Sequence, residues 1–170
     1  RLFNRCKSAA IARCSSVTTI WPPAGIALAA FVLFGYRIWP AILLAAFLAN
    51  YTTTGVVLPS IGIAAGNTLE GLLAAFLVNR YARGGRVFDR VRDILRFTLL
   101  AALVSTTVSA SIGVLTLVLG GLASWHEAPR VWLTWWLGDA VGDIVIAPAL
   151  IIWIGVRPVP AWTRAQVIEA

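Results

Sequence analysis

Three long apolar stretches dominate this sequence, and each is long enough to cross a lipid bilayer as a helix. They cover residues 57–79, 94–120 and 131–154. A helix rises about 1.5 Å per residue, so about 20 apolar residues span the hydrocarbon core. The 170-residue chain is 59% hydrophobic and only 12% charged, whereas soluble domains are about 25% charged. We therefore predict an all-α, polytopic transmembrane helical bundle rather than a soluble or disordered chain.

Residues 20–51 form a fourth apolar region, which is too long for one span and is interrupted at Arg37. We predict a hairpin of two short helices, residues 22–35 and 39–51. Its tip then lies at the water interface, where basic and aromatic side chains are favoured. The alternative is a single crossing that leaves Arg37 in the hydrocarbon, at a cost of about 2.5–3.5 kcal/mol or more. With the hairpin, the bundle has about five membrane segments.

The basic residues indicate which side of the membrane each loop faces. Between Arg80 and Arg96 the chain carries six arginines and two aspartates, which by the positive-inside rule predicts a cytoplasmic loop. Alternation then places His126 outside and both Arg37 and the C-terminus in the cytoplasm. Most of the net charge of +7 is therefore a topology signal. Anionic lipid head groups are a better partner for this loop than nucleic acid. The basic residues at the N-terminus do not fit the scheme.

Three carboxylates lie inside the predicted spans, where ionisable groups are expensive and are candidates for function. They are Glu70, Asp139 and Asp143. Asn67 lies three residues before Glu70 on the same helix face, and the two aspartates are about 6 Å apart along their axis. These groups either bind a signal or hydrogen-bond one another and the hydroxyls of residues 105–111 to fix helix registry. Both roles stay open for Asn67 and Asp143. For Glu70 and Asp139 we favour function, because Asn or Ser gives registry at lower cost.

Glycines four residues apart form close-packing faces on two of the predicted helices. Gly62 and Gly66 continue into the face of Glu70, so this stripe is predicted to face protein. On the last helix, Gly138 and Gly142 adjoin the two aspartates. Pro148 follows them, lacks a backbone N–H and is expected to kink this helix.

Sequence motifs of catalysis are absent. The chain has no GxxxxGK[ST] phosphate loop, no HExxH pair, no GxSxG elbow and no CxxC. We therefore predict no enzyme activity, no catalytic residue, no metal site and no cofactor. Cys6 and Cys14 have no neighbouring metal-type partner and are interpreted as small apolar residues. The tryptophans at the start of the last span are interpreted as an interfacial belt; they are Trp125, Trp132, Trp135 and Trp136.

Three segments of the chain carry a resemblance to a known family. They are IWPPAGIALAAFVLFGYRIWPAILLAAFLAN at residues 20–50, GNTLEGLLAAFLV at 66–78 and LTWWLGDAVGDIVIAPALI at 133–151. In this order they resemble MASE1, a bacterial integral-membrane sensory domain. The resemblance implies a signal-input module of histidine kinases and diguanylate cyclases in the bacterial cytoplasmic membrane. The positions carried over are Trp21, Pro22, Pro23, Gly25, Asn67, Glu70, Trp135, Trp136, Gly138, Asp139 and Pro148.

From this resemblance we expect three parts in the chain. Residues 1–16 form a basic segment, the remnant of a preceding helix. Residues 17–156 form the membrane sensory domain, and residues 157–170 form a cytoplasmic exit segment toward an output domain in cis or in trans. A small molecule or a membrane condition is then sensed at Glu70, Asn67 and Asp139, with Asp143 beside them. The other expected partners are the lipid bilayer and a second copy of the chain in a homodimer.

Two other functions are compatible with the same residues. One is a transporter subunit, similar to the substrate-binding membrane components of vitamin importers, in which the carboxylates hold a solute. The other is a structural assembly domain whose glycine stripes mediate oligomers. Solute uptake by proteoliposomes, or co-purification with an energising ATPase, would favour the first. The second predicts that neutralising the acidic residues changes stability without changing any signal.

Overall fold

The computed structural model describes residues 21–155, so the predictions for residues 1–16 and 157–170 lie outside the described residues. Residues 21–155 are almost entirely helical and contain no strand, which confirms the predicted all-α class. The helices are α1 (Pro22–Phe34), α2 (Trp39–Thr54), α3 (Val57–Tyr81), α4 (Val91–Leu119) and α5 (Ala128–Gly155).

Helices α3, α4 and α5 are long and apolar enough to cross a membrane. Their ends agree with the three predicted spans to within three residues. The chain turns between α4 and α5 at Gly121, whose φ of 68° favours glycine. Before α5, the Ser124 hydroxyl donates to Glu127 Oε2 at 2.9 Å, and this contact holds the loop against the helix start.

Helices α1 and α2 form the predicted hairpin. Gly35 ends α1 with a φ of 81°, a conformation that favours glycine, and a 3₁₀ turn at Tyr36–Ile38 leads into α2. The alternative of one continuous crossing is therefore wrong. At the tip, Asn79 Nδ2 donates to the Tyr36 hydroxyl at 3.0 Å. The tip thus lies at the end of α3 that leads into the arginine-rich loop, as the predicted topology requires.

The hairpin helices are shorter than a membrane span. They have 13 and 16 residues, which at about 1.5 Å per residue is about 20 and 24 Å, against a hydrocarbon core of about 30 Å. Within the described residues, three helices are long enough to cross, and the total of five membrane segments stays a prediction. Helix α2 has no buried residue, so it lies on the outside of the bundle.

The arginine-rich loop between α3 and α4 is folded back onto the bundle. Asp93 is only 3% exposed, and its carboxylate lies 3.8 Å from Arg83 Nε and 3.6 Å from Arg96 Nη1. Arg96 Nη1 also donates to the Tyr81 carbonyl at 2.9 Å. These contacts tie the start of α4 to the end of α3, and Val87 anchors the loop in the core.

The apolar core lies in the half of the bundle that contains the hairpin tip and this loop. Small side chains let α1, α3, α4 and α5 approach closely, and the Phe31 ring lies directly over Gly71, where a Cβ would be 2.8 Å from the ring. The core residues include Leu28, Phe31, Ala74, Ala75, Val78, Phe97, Ala101, Ala147 and Ile151. The predicted polar residues Glu70, Asp139 and Asp143 lie next to this core, near the middle of α3 and α5.

Candidate functional site

Three buried carboxyl groups meet between α3 and α5. Glu70 is 3% exposed, and Asp139 and Asp143 are each 1% exposed. The Asp139 carboxyl lies in hydrogen-bonding contact with Glu70, and Asp143 is close enough to interact electrostatically with both. Two carboxyl oxygens hydrogen-bond each other only when one carries a proton. The predicted grouping of Glu70 with Asp139 is therefore present as a direct contact between two helices.

Helix α4 supplies the polar partner of this cluster. The Ser109 hydroxyl donates to Asn67 Oδ1 at 2.8 Å, and the same hydroxyl contacts Glu70 and Asp139. Helices α3 and α4 are in close contact here because Gly66 has no side chain; a Cβ at this position would lie 3.1 Å from Ile112 Cγ2. This close contact brings Ser109 to Asn67. Ser109 thus joins the three long helices at one point.

The other hydroxyls of this stretch are mostly bonded within α4. Thr106 and Thr107 donate to backbone carbonyls three or four residues earlier, at 2.7–3.2 Å. Ser111 accepts a hydrogen bond from Trp132 Nε1 at 3.1 Å. Among the hydroxyls of residues 105–111, those of Ser109 and Ser111 form hydrogen bonds with a side chain of another helix.

Several oxygens of the carboxyl cluster have no hydrogen-bond partner among the described residues. They are Glu70 Oε1, Asp139 Oδ2 and both Oδ atoms of Asp143. The described arginines are all exposed, and the ion pairs within residues 21–155 involve only Asp93. Burying a carboxyl oxygen without a hydrogen-bond partner costs free energy. Unpartnered oxygens are therefore unusual for a group whose only role is to fix helix registry.

A cavity of about 280 Å³ opens beside the cluster. Its polar wall consists of Asn50, Asn67, Glu70 and Asp143, and its apolar wall comes mainly from the hairpin. Asp139 does not line the cavity and lies behind Glu70. The apolar lining residues are Trp21, Pro23, Ala24, Ile26, Ala27, Leu28, Ile42, Ala45, Ala46, Ala49 and Gly71.

The start of α1 is joined to the acidic part of α5. Trp21 N–H donates to the Gly138 carbonyl at 3.0 Å. A Cβ on Gly142 would overlap the Trp21 carbonyl, and one on Gly25 would overlap the Gly142 carbonyl. Glycines on both helices therefore let α1 pack against α5 backbone to backbone. This contact places Trp21 and Pro23 at the cavity, whereas Pro22 does not line it.

The tryptophans of α5 pack against α4. Trp136 Nε1 donates to the Leu103 carbonyl at 3.0 Å, and Trp132 stacks on Trp136 with ring centroids 6.0 Å apart. The Trp135 ring lies over Gly113 and contacts Asp139. The interpretation of these tryptophans as an interfacial belt predicts contacts with the lipid interface. It does not predict these contacts inside the bundle.

The sequence leaves two parts of this site unspecified, although the hydroxyls of residues 105–111 are expected as partners of its polar residues. Ser109 is one hydroxyl among several in its stretch, and nothing in its local sequence indicates that it faces Asn67. The alanines of α2 that line the cavity have no chemical signature; they are Ala45, Ala46 and Ala49. Their spacing of three and four residues places Ala46 and Ala49 on one side of the helix with Ala45 beside them, and this is the only signal that they give. Of the remaining predicted residues, Gly62 packs against Thr116 and Pro148 lies inside α5.

Comparison with known proteins gives one result at the level of families. The family model MASE1 matches residues 5–169, essentially the whole chain. MASE1 is a family of membrane-associated sensory domains. There is no match among the curated proteins or the solved structures.

Proposed function

Because this chain belongs to the MASE1 family, we propose that it is the signal-input domain of a bacterial signalling protein in the cytoplasmic membrane. Its signal is a small molecule or a membrane condition that acts at Glu70, Asn67, Asp139 and Asp143. Its output is a histidine kinase or a diguanylate cyclase on the cytoplasmic side, in cis or in trans. It acts as a homodimer and is not itself an enzyme.

One observation carries this proposal: Glu70 and Asp143, which both have buried carboxyl oxygens without a hydrogen-bond partner, line a cavity. Ligand sites typically combine an apolar wall with a few convergent polar groups, and this cavity has that composition. Buried ionisable groups inside a membrane span are also functional candidates by default.

The arrangement of helices supports a relay through α5. Asp139 and Asp143 are on this helix, which contacts α1 at Gly142 and α4 at Trp136. A signal that binds one packing of these helices more tightly than another shifts the populations of the two packings. The size of this shift is limited by the difference between the signal's affinities for them. Helix α5 is followed by the predicted exit segment, so a shift in its packing reaches the output domain directly.

A chimera with a reporter kinase tests the proposal. We expect Glu70→Gln and Asp139→Asn to change kinase output by about fivefold or more, the lower end of typical coupling between sites. The matched controls are Glu127→Gln and Asp89→Asn, which neutralise exposed carboxylates and should leave output unchanged. Membrane levels of each variant are compared by immunoblotting.

The same experiment separates the rival functions. If both cluster variants signal normally at normal membrane levels, the sensory site is wrong. If they lower thermal stability while output per folded molecule is unchanged, the cluster serves assembly. Solute uptake by proteoliposomes that is lost in Glu70→Gln would instead support the transporter function.

A further inference from the structure

The cavity beside the carboxyl cluster has two chemically distinct ends. One end presents Glu70 and Asp143, both nearly fully buried. The other is an apolar surface formed largely by alanines of α1 and α2. A cavity of about 150 Å³ holds benzene, so a volume of about 280 Å³ accommodates a small organic molecule.

Nothing among the described residues neutralises the acidic end. The described arginines are exposed, and the one described histidine, His126, is also exposed. The helix start beside the cluster offers few free donors, although helix N-termini usually favour anions. Pro22 and Pro23 have no N–H, and Trp21 and Ala24 donate to the carbonyls of Gly138 and Trp21.

We propose that this cavity binds a small organic cation, an ammonium compound with a compact apolar body, whose charged head lies against Glu70 and Asp143. This inference rests on the proposed sensory function and names the chemical class of its signal. An ammonium group donates hydrogen bonds to the unpartnered oxygens, and the apolar body packs on the alanine surface. Trp21, on the cavity wall, adds an aromatic face that attracts cations.

A metal ion fits the cavity less well than an organic cation. Within residues 21–155, no group of three or more His, Cys, Asp or Glu side chains is arranged to hold a metal. Hard cations need about six or more oxygen ligands, and the hairpin wall supplies mainly apolar side chains. That wall instead matches the hydrocarbon part of an organic ligand.

Calorimetric titration of the whole chain in lipid nanodiscs tests this inference. The probes are n-butylammonium, the uncharged butan-1-ol and the anion butyrate, which share one alkyl chain. We expect butylammonium to bind at least tenfold more tightly than butan-1-ol and butyrate not to bind. Sodium chloride at equal ionic strength controls for nonspecific charge effects. Equal affinities for butylammonium and butan-1-ol would overturn the proposal.

Variants locate the binding. Glu70→Gln and Asp143→Asn should each remove most of the preference for butylammonium, whereas Glu127→Gln and Asp89→Asn should retain it. Ala46→Leu fills the apolar end of the cavity without changing a carboxylate and should also weaken binding by tenfold or more. Its control is Ala41→Leu, at an exposed position of α2 outside the cavity wall. Binding that survives Glu70→Gln, Asp143→Asn and Ala46→Leu contradicts the proposal.

This test is independent of the kinase chimera. If output depends on Glu70 while butylammonium does not bind, the ligand class is wrong and the sensory function stands. If butylammonium binds through Glu70 while output ignores the substitution, the binding site stands and the sensory function is wrong.

Discussion

Gly142 lies where the backbones of α1 and α5 come into direct contact. Its Cα faces the Trp21 carbonyl, and Gly25 faces the Gly142 carbonyl in return. Small residues allow this kind of approach between membrane helices. The contact lies next to Asp143, so it also sets the distance between the acidic end of the cavity and the start of α1.

The residue-scale prediction is that Gly142→Ala destabilises the bundle by about 1–3 kcal/mol, the usual cost of overpacking. The obstacle is backbone, so it cannot move aside like a flexible side chain. Unfolding in mixed micelles, followed by tryptophan fluorescence, measures the effect. Gly85→Ala is the control, because a Cβ there meets nothing within 4 Å. Equal stabilities for the two variants would show that α1 and α5 do not need this contact.

At the scale of elements, α4 contains a π-helical segment, Thr98–Ser105. At the end of this segment the Ser105 side-chain hydroxyl donates to the Leu100 carbonyl, five residues earlier, at 3.0 Å. The Leu103 carbonyl in this segment accepts the bond from Trp136. π-helical turns are rare and occur often at functional sites. Here the segment precedes Ser109 along α4 and gives α5 a polar anchor point.

The element-scale prediction is that Trp136→Phe weakens the contact between α4 and α5. The substitution keeps an aromatic ring and removes the N–H, so we expect a loss of about 1 kcal/mol. Unfolding in mixed micelles measures the change in the free energy of unfolding. Backbone hydrogen exchange should show the loss of protection at residues 98–105. Trp125→Phe is the control, since Trp125 is 69% exposed. Faster exchange in the control than in Trp136→Phe would contradict the anchor role.

At the scale of the whole molecule, the two ends of the bundle carry different loops. The hairpin tip and the arginine-rich loop share one end, joined by Asn79 and Tyr36. The loop at His126 lies between the other ends of α4 and α5. The positive-inside rule predicts that the end with the arginines is the cytoplasmic one.

This topology predicts the labelling of single cysteines in a chain whose Cys6 and Cys14 are replaced by Ser. A membrane-impermeant maleimide should label His126→Cys in intact spheroplasts. It should label Arg37→Cys and Arg86→Cys only after the membrane is permeabilised, because both positions belong to the arginine-rich end. Labelling of Arg37→Cys together with His126→Cys would contradict the hairpin topology.

The sequence alone predicts the class of the molecule, its three long helices and the break near Arg37. These are local properties, because the length of an apolar run and the cost of a charge in lipid depend on few neighbours. It also identified Glu70, Asp139 and Asp143 as candidates, since carboxylates inside a span are conspicuous. Their expected grouping in one site does not reveal the side chains that complete it, and these become visible only in the packed helices. Ser109 meets Asn67 across 42 residues of chain, and the hairpin forms a cavity wall from alanines. Such contacts depend on how whole helix surfaces pack, and no local pattern specifies them.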